Sequence, residues 1–239
     1  MLFRSNLVQR DVNTCLPTIH SSSLKGALKV HFSSVPVDSK FIENVFGMED
    51  NKPGKWKFLS ADLLSRPIRS DKIQYFNATS SEALKNFLVK AEALGVENEI
   101  LIEIEKITKL TVPKNKPFVF VPEYDGAIIE DLEWVAGYKN VEIDFSKVSP
   151  LLGENIVLIE DADFRELELP VIARNHLENG QSENLWYEEV VPYDSRFGFF
   201  IIEKDSSNSV VFIKGIENVV QIGANASIGY GLCQIKNQF

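Results

Sequence analysis

Two apolar stripes with helical spacing stand among short strand-like runs interrupted by proline and glycine. Leu24, Ala27, Leu28, His31 and Phe32 follow the serines Ser21–Ser23 and predict a helix over about Ser22–Phe32, with Leu24, Leu28 and Phe32 at successive i, i+4 positions on its buried side. Ala83, Leu84, Phe87, Leu88, Ala91 and Leu94 predict a second helix, capped by Ser80 or Ser81 and stopped at Gly95. Strands are expected around Lys57–Leu64, Ile156–Ile159, Gly198–Ile202 and Val210–Ile213, with a further ordered approach near Ile73–Asn77. Ile100, Ile102 and Ile104 alternate with glutamates, which predicts a half-buried strand. Prolines 113, 117 and 122 with Gly126 and Gly137 break up strand-like Phe118–Val121 and Ala127–Ile129, as in a projecting hairpin or accessory subdomain. This mixture excludes a helical bundle and a regular βα barrel and predicts an α+β fold. The chain divides on this reading into an amino-terminal part of the core over 1–109, an insertion over 110–145 and a carboxy-terminal part of the core over 146–239.

With 239 residues, 44% of them hydrophobic, the chain can bury a sizeable core. No apolar run reaches the roughly 20 residues that span a bilayer, so a cytoplasmic protein without a membrane partner is expected. Cys15 and Cys233 lie far apart without a CxxC motif, and two reduced thiols are expected rather than a disulfide or a zinc site. The net charge of -9 argues against a uniformly basic surface. Residues 1–40, with Arg4, Arg10, Lys25, Lys29 and Lys40 against Asp11 and Asp38, nevertheless carry a local positive excess. Such a basic end could bind RNA while acidic surfaces meet protein partners; ordinary charge scatter explains it equally well.

Three blocks carry the chemistry. Val8-Gln9-Arg10-Asp11, then Leu16-Pro17, lead into Ser21–Lys29 (SSSLKGALK), where a serine-capped helix start would offer amides to a phosphate beside Lys25 and Lys29. Arg10 would contact phosphate or pair with Asp11. Gly26 would serve close packing or close approach of a nucleotide. The late block Gln221–Gly231 (QIGANASIGYG) is a glycine-rich turn without the strand-to-helix context of a dinucleotide site or the ending of a phosphate-binding loop. It is either a structural turn or a turn packed on an RNA-binding helix. Trp134 reads as packing, and His31 as a boundary residue of its helix rather than a metal ligand.

In their order, VQRD, LPTIHSSSLKGALK and IGANASIGYG resemble the repeating backbone subunit of type III-B CRISPR effectors, within the RAMP superfamily. Phe46–Gly47, Leu59–Ser70 and Leu185–Glu189 (LWYEE) fit the same resemblance, which spans almost the whole chain. It implies an RRM-like, ferredoxin-related core with a hairpin-like thumb insertion, assembled in several copies with other effector subunits on a guide RNA that pairs with a complementary target RNA. Arg10, Ser22, Ser23, Lys25, Gly26 and Lys29 are then the RNA-binding candidates, and Gly223, Asn225, Gly229 and Gly231 shape the nearby turn. It also implies that the usual first strand is lacking and that Ser5 occupies the position of the target-cleaving aspartate. Serine lacks the carboxylate for metal or general-base work, so weak or absent cleavage is expected, with Asp11 the alternative acid. No tightly bound cofactor is expected, and a divalent metal only if cleavage is retained. A freestanding metal-dependent ribonuclease using Asp11, Asp62 or His20, and a purely structural filament protein, are the competing readings.

Overall fold

A computed structural model describes residues 5–48, 52–129, 132–178, 181–204, 206–217 and 219–238. The helices are α1 (Ser21–Ser34), α2 (Ser39–Phe46), α3 (Ser81–Ala93), α4 (Glu99–Thr108), α5 (Phe145–Leu152), α6 (Asp161–Glu166) and α7 (Ser209–Ile216). With the strands they make the expected α+β fold. Contacts divide the chain into two compact units, one of Met1–Thr18 with Asp62–Gly198 and the other of Ile19–Ala61 with Phe199–Phe239. The three consecutive segments read from the sequence cut across both.

In the first unit a mixed sheet carries the strands Arg196–Gly198, Ala61–Arg69, Tyr75–Ser80, Ile156–Ile159, Phe118–Val119 and Gly137–Tyr138, in that order. Ile156–Ile159 is fully buried and pairs in parallel with Tyr75–Ser80, and its continuous apolar run is what a central strand requires. Ser80 caps α3, its side chain accepting from the Ala83 amide, and Gly95 at φ +66 follows the helix end, as the sequence suggests. A separate three-stranded sheet holds the long antiparallel hairpin Val171–Glu178 and Gln181–Glu189, whose second strand also pairs in parallel with Ser5–Asn6.

Three expectations are corrected. Residues 99–108 form a helix, not a strand: the Asn98 side chain caps the Ile100 amide, and Leu101, Ile104 and Ile107 are buried at helical spacing while Ile102 is 57% exposed. Val210–Ile213 lies in α7, which buries Phe212, Gly215 and Ile216 at i, i+3 and i+4. The segment over 110–145 does not project as a hairpin, because Phe118–Val119 and Gly137–Tyr138 join the main sheet and Val119, Ala127, Ile129 and Ala136 lie in its core. Trp134 packs against that core, as read from the sequence.

The second unit is organised around aromatic rings. Phe32 of α1 stacks on Phe212 of α7 at 5.1 Å and meets Phe41 and Phe46 of α2 at 5.0 and 5.7 Å. Trp56 and Phe58 pack on the same group. Gly215 makes room for Phe32, since a Cβ there would lie 2.1 Å from a ring carbon. His31 Nε2 donates to the Gly215 carbonyl at 2.8 Å, which fits its reading as a boundary residue.

Candidate nucleic-acid interface

The second unit presents the exposed face of α1. Leu24, Leu28 and Phe32 are fully buried, so the 3.6-residue period turns Gly26 and Val30 to the opposite side with Ser22 and Ser23 also exposed, while Lys25 and Lys29 are half-buried at the boundary. The helix start differs from expectation. Neither Ser21 nor Ser22 caps it; His20 occupies the cap position at φ −58 and ψ 145 and makes no side-chain cap. Ser21 and Ser22 already have helical backbone, whereas a cap needs the extended backbone that aims its side chain back at the first amides. The Ser21 amide donates instead to the Ser60 hydroxyl at 3.2 Å. Gly26 faces open space, with nothing within 4 Å of a built Cβ, so it does not serve packing among the described residues. Lys29 Nζ donates to the Gly47 carbonyl at 3.1 Å, a cation placed at the negative end of α2.

The glycine block is an antiparallel hairpin of the strands Val220–Gln221 and Leu232–Cys233, the first of which lies against α1. Gly223, Asn225, Gly229 and Gly231 all have positive φ, between 63° and 103°. Gly231 is sterically fixed as well, because a Cβ would come within 2.4 Å of the Ile222 carbonyl oxygen. Gln221 Nε2 donates to the Tyr230 carbonyl at 2.9 Å and the Gly223 carbonyl at 3.3 Å, closing the loop on itself. Local geometry accounts for all four positions, so a side-chain role in binding is unnecessary for any of them. The second unit carries nine Lys and Arg against seven Asp and Glu, although the whole chain is at -9. Its acidic excess therefore lies entirely in the other unit.

In the first unit, Arg10 does not pair with Asp11. It binds the carboxylate of Glu189 and donates to the Cys15 carbonyl at 3.2 Å. Glu189 also accepts from the Val8 amide at 3.0 Å. Its neighbour Glu188 is buried and accepts from Arg174 Nε at 3.1 Å and Trp186 Nε1 at 2.9 Å. The two acids of LWYEE thus anchor residues 8–10 and the hairpin; sequence reasoning missed this role, since nothing local to residues 185–189 points to Arg10. Ser5 lies in the backbone pair with Tyr187.

Asp11 Oδ1 accepts from the amides of Asn13 and Thr14, both at 3.0 Å, and from the Thr14 hydroxyl at 3.2 Å. The Thr14 amide, the largest influence, helps hold this carboxyl below the ordinary aspartate range. A depressed carboxyl stabilises the fold above its unfolded pKa, and that contribution is lost as pH falls through the folded value. Asp11→Ala should therefore cost about 1 kcal/mol near neutrality, as loss of a cap does, and the gap from the native chain should narrow below about pH 4. Thermal melts across acid pH check this; a gap independent of pH would contradict it. Asp62 pairs with Lys90, and burial raises its carboxyl above the ordinary range while that pairing pulls it down. These commitments do not fit a metal: among the described residues no group of three His, Cys, Asp or Glu is arranged to hold one. No helix among them is long and apolar enough to cross a membrane.

The sequence model of the RAMP superfamily matches residues 3–234. Among curated proteins, the CRISPR system Cmr endoribonuclease Cmr4 of Pyrococcus furiosus is 29% identical over 259 residues, covering 95% of this chain and 86% of that protein. A cryo-EM structure of the Type III-B Cmr-beta bound to cognate target RNA contains a chain of the same fold, with a TM-score of 0.78 at 22% identity over 97% of this chain and 90% of that one. The crystal structure of oligomeric Cmr4 from Pyrococcus furiosus matches with a TM-score of 0.69 at 26% identity, over 93% and 87% of the two chains.

Proposed function

The chain belongs to the RAMP superfamily, and on that premise we propose that it is the repeating backbone subunit of a type III-B CRISPR effector. In this reading it binds guide RNA through phosphates, assembles with further copies of itself and other effector subunits, and supports recognition of complementary target RNA. Base pairing supplies sequence specificity, and the protein reads the backbone. The observation that carries the reading is the exposed face of α1, where Ser22, Ser23 and the unobstructed Gly26 lie together with the half-buried Lys25 at their edge, in the unit that holds the positive excess. Lys29 shares that edge, but its ammonium is already engaged at Gly47, so Lys25 is the stronger phosphate contact. Arg10, bound to Glu189, is a support for its loop before it is an RNA ligand.

The reading assigns no tightly bound cofactor, a cytoplasmic location, and a divalent metal only if target cleavage is retained. A freestanding ribonuclease is less well supported, because the carboxylates of Asp11 and Asp62 already hold an amide turn and a lysine. Co-expression with the other effector subunits and a guide, compared with the isolated chain, tests the proposal. RNA-containing particles much larger than one chain are expected from the co-expressed sample. Particles without RNA would favour the purely structural reading.

Gly26 gives a sharper local test. A Cβ there meets no protein atom, so alanine should fold normally and weaken RNA binding only slightly. Valine adds branched bulk on the exposed face and should weaken it roughly tenfold or more. Equal affinity for the glycine, alanine and valine forms in a titration with labelled RNA would refute close approach at this position.

A further inference from the structure

In the first unit, Tyr193 is 93% exposed, whereas the next most exposed aromatic ring among the described residues, Tyr138, stands at 38%. A ring placed almost wholly in water forgoes the burial that makes aromatic side chains stabilising elsewhere in a fold. Its backbone nevertheless lies in a tight turn. Ser195 donates to the Pro192 carbonyl twice, from its amide at 3.3 Å and from its hydroxyl at 2.8 Å, and Asp194 adopts φ +64 between them.

The charged groups of the turn are engaged within the unit. Asp194 accepts from the Tyr75 hydroxyl at 3.0 Å and lies 3.6 Å from Arg196 Nη2, while Arg196 Nη1 donates to the Pro150 carbonyl at 3.3 Å. These contacts tie the turn to the strand Tyr75–Ser80 and to α5. The bond to Asp194, foremost, raises the Tyr75 phenol above its ordinary value, and Tyr193 is among the lesser influences, which makes the two phenols neighbours. What the turn offers outward is therefore the Tyr193 ring itself, presented from a fixed base. Tyrosine is among the residue types that anchor protein interfaces, because a large ring with few rotatable bonds loses little freedom on contact.

We infer that the Tyr193 turn is a contact between copies of this chain, with its ring buried against the second unit of a neighbouring copy. This rests on the backbone-subunit reading above and names one of its surfaces. Charge complementarity selects the occupant. The first unit carries sixteen Lys and Arg against twenty-seven Asp and Glu, and the second nine against seven. That acidic excess repels the phosphates that accompany an RNA base and repels another first unit, whereas the second unit of another copy has the opposite sign. A contact of first unit on second is heterologous. Each copy then offers its turn to one neighbour and its second unit to the next, and the contact repeats along a row.

The test uses the full chain, alone and co-expressed with a guide and the other effector subunits. Native, Tyr193→Ala and Tyr193→Phe chains are compared for melting temperature, for copies per particle, and for affinity of the single chain for labelled RNA. All three should melt alike, because the ring buries almost nothing in the single chain. Alanine should raise the concentration needed for self-association roughly tenfold or more and lower the copies per particle, while phenylalanine, which keeps the ring, stays close to native. RNA affinity of the single chain should not change. Mixed with native chains, the alanine variant should shorten the particles, since its second unit still accepts a neighbour while its own turn offers no ring. An alanine variant that associates like the native chain would overturn the contact and leave the backbone reading standing. Failure of the native chain to associate in either sample would remove that reading and the contact with it. Weaker RNA binding with unchanged association would make the ring an RNA contact and overturn the inference.

Discussion

Phe32→Ala is expected to lower stability by about 3–5 kcal/mol and to take RNA binding down with it. The ring, on α1, is fully buried and touches two further helices of its unit, α2 through Phe41 and Phe46 and α7 through Phe212. Gly215 was left without a side chain to admit it, so a smaller residue leaves a void that cannot close from that side. Because the same helix buries Phe32 and carries Gly26 and Lys25 on its outer side and edge, loosening one face disorders the other. A fall in melting temperature on the order of 10 °C is expected. Phe32→Leu should lose much less on both counts. A Phe32→Ala protein that melts like the native one would show that the aromatic cluster does not hold this unit together.

The second large effect concerns chemistry. A complex built with the native chain is expected to bind complementary RNA and cut it poorly or not at all, while Ser5→Asp raises cutting by on the order of 100-fold. A hydroxyl remains neutral near pH 7 and cannot supply a carboxylate's charge to a metal or a proton acceptor. Asp11 is a weak substitute because one of its oxygens already accepts from Asn13 and Thr14. Labelled target RNA with divalent metal, tested against native, Ser5→Asp and Asp11→Asn complexes, distinguishes these roles. Regular cutting by the native complex that vanishes on Asp11→Asn would make Asp11 the catalytic group.

Local pattern revealed those elements whose stabilisation is local. The stripe of Leu24, Leu28 and Phe32, the Ser80 cap and the Gly95 stop each lie within one or two helical turns of what they act on. The exposed face of α1 follows from the same periodicity. Residues 99–108 misled because their isoleucines and glutamates alternate over a short window, while the cap at Asn98 and the buried Ile107 lie at or beyond its ends. In α7 the β-branched valines suggest a strand, and the deciding contact, Gly215 against Phe32, joins positions far apart in sequence. Arg10 shows the same limit at the candidate site: adjacency favoured Asp11, and the actual partner is 179 residues away.

That separation has a bearing on the order of assembly. Residues 5–10 are held by the backbone pair with Tyr187 and Glu188 and by the carboxylate of Glu189, so closing them onto the hairpin joins segments nearly a chain length apart. Long-range closure is slow, because the entropy of bringing the ends together is lost before the contacts form. During synthesis, Ser5 and Arg10 emerge early and must wait for residues 185–189 before they have anything to bind. A segment made well before its partners is thus among the last to be secured, and a nascent chain arrested before the LWYEE strand would carry it undocked.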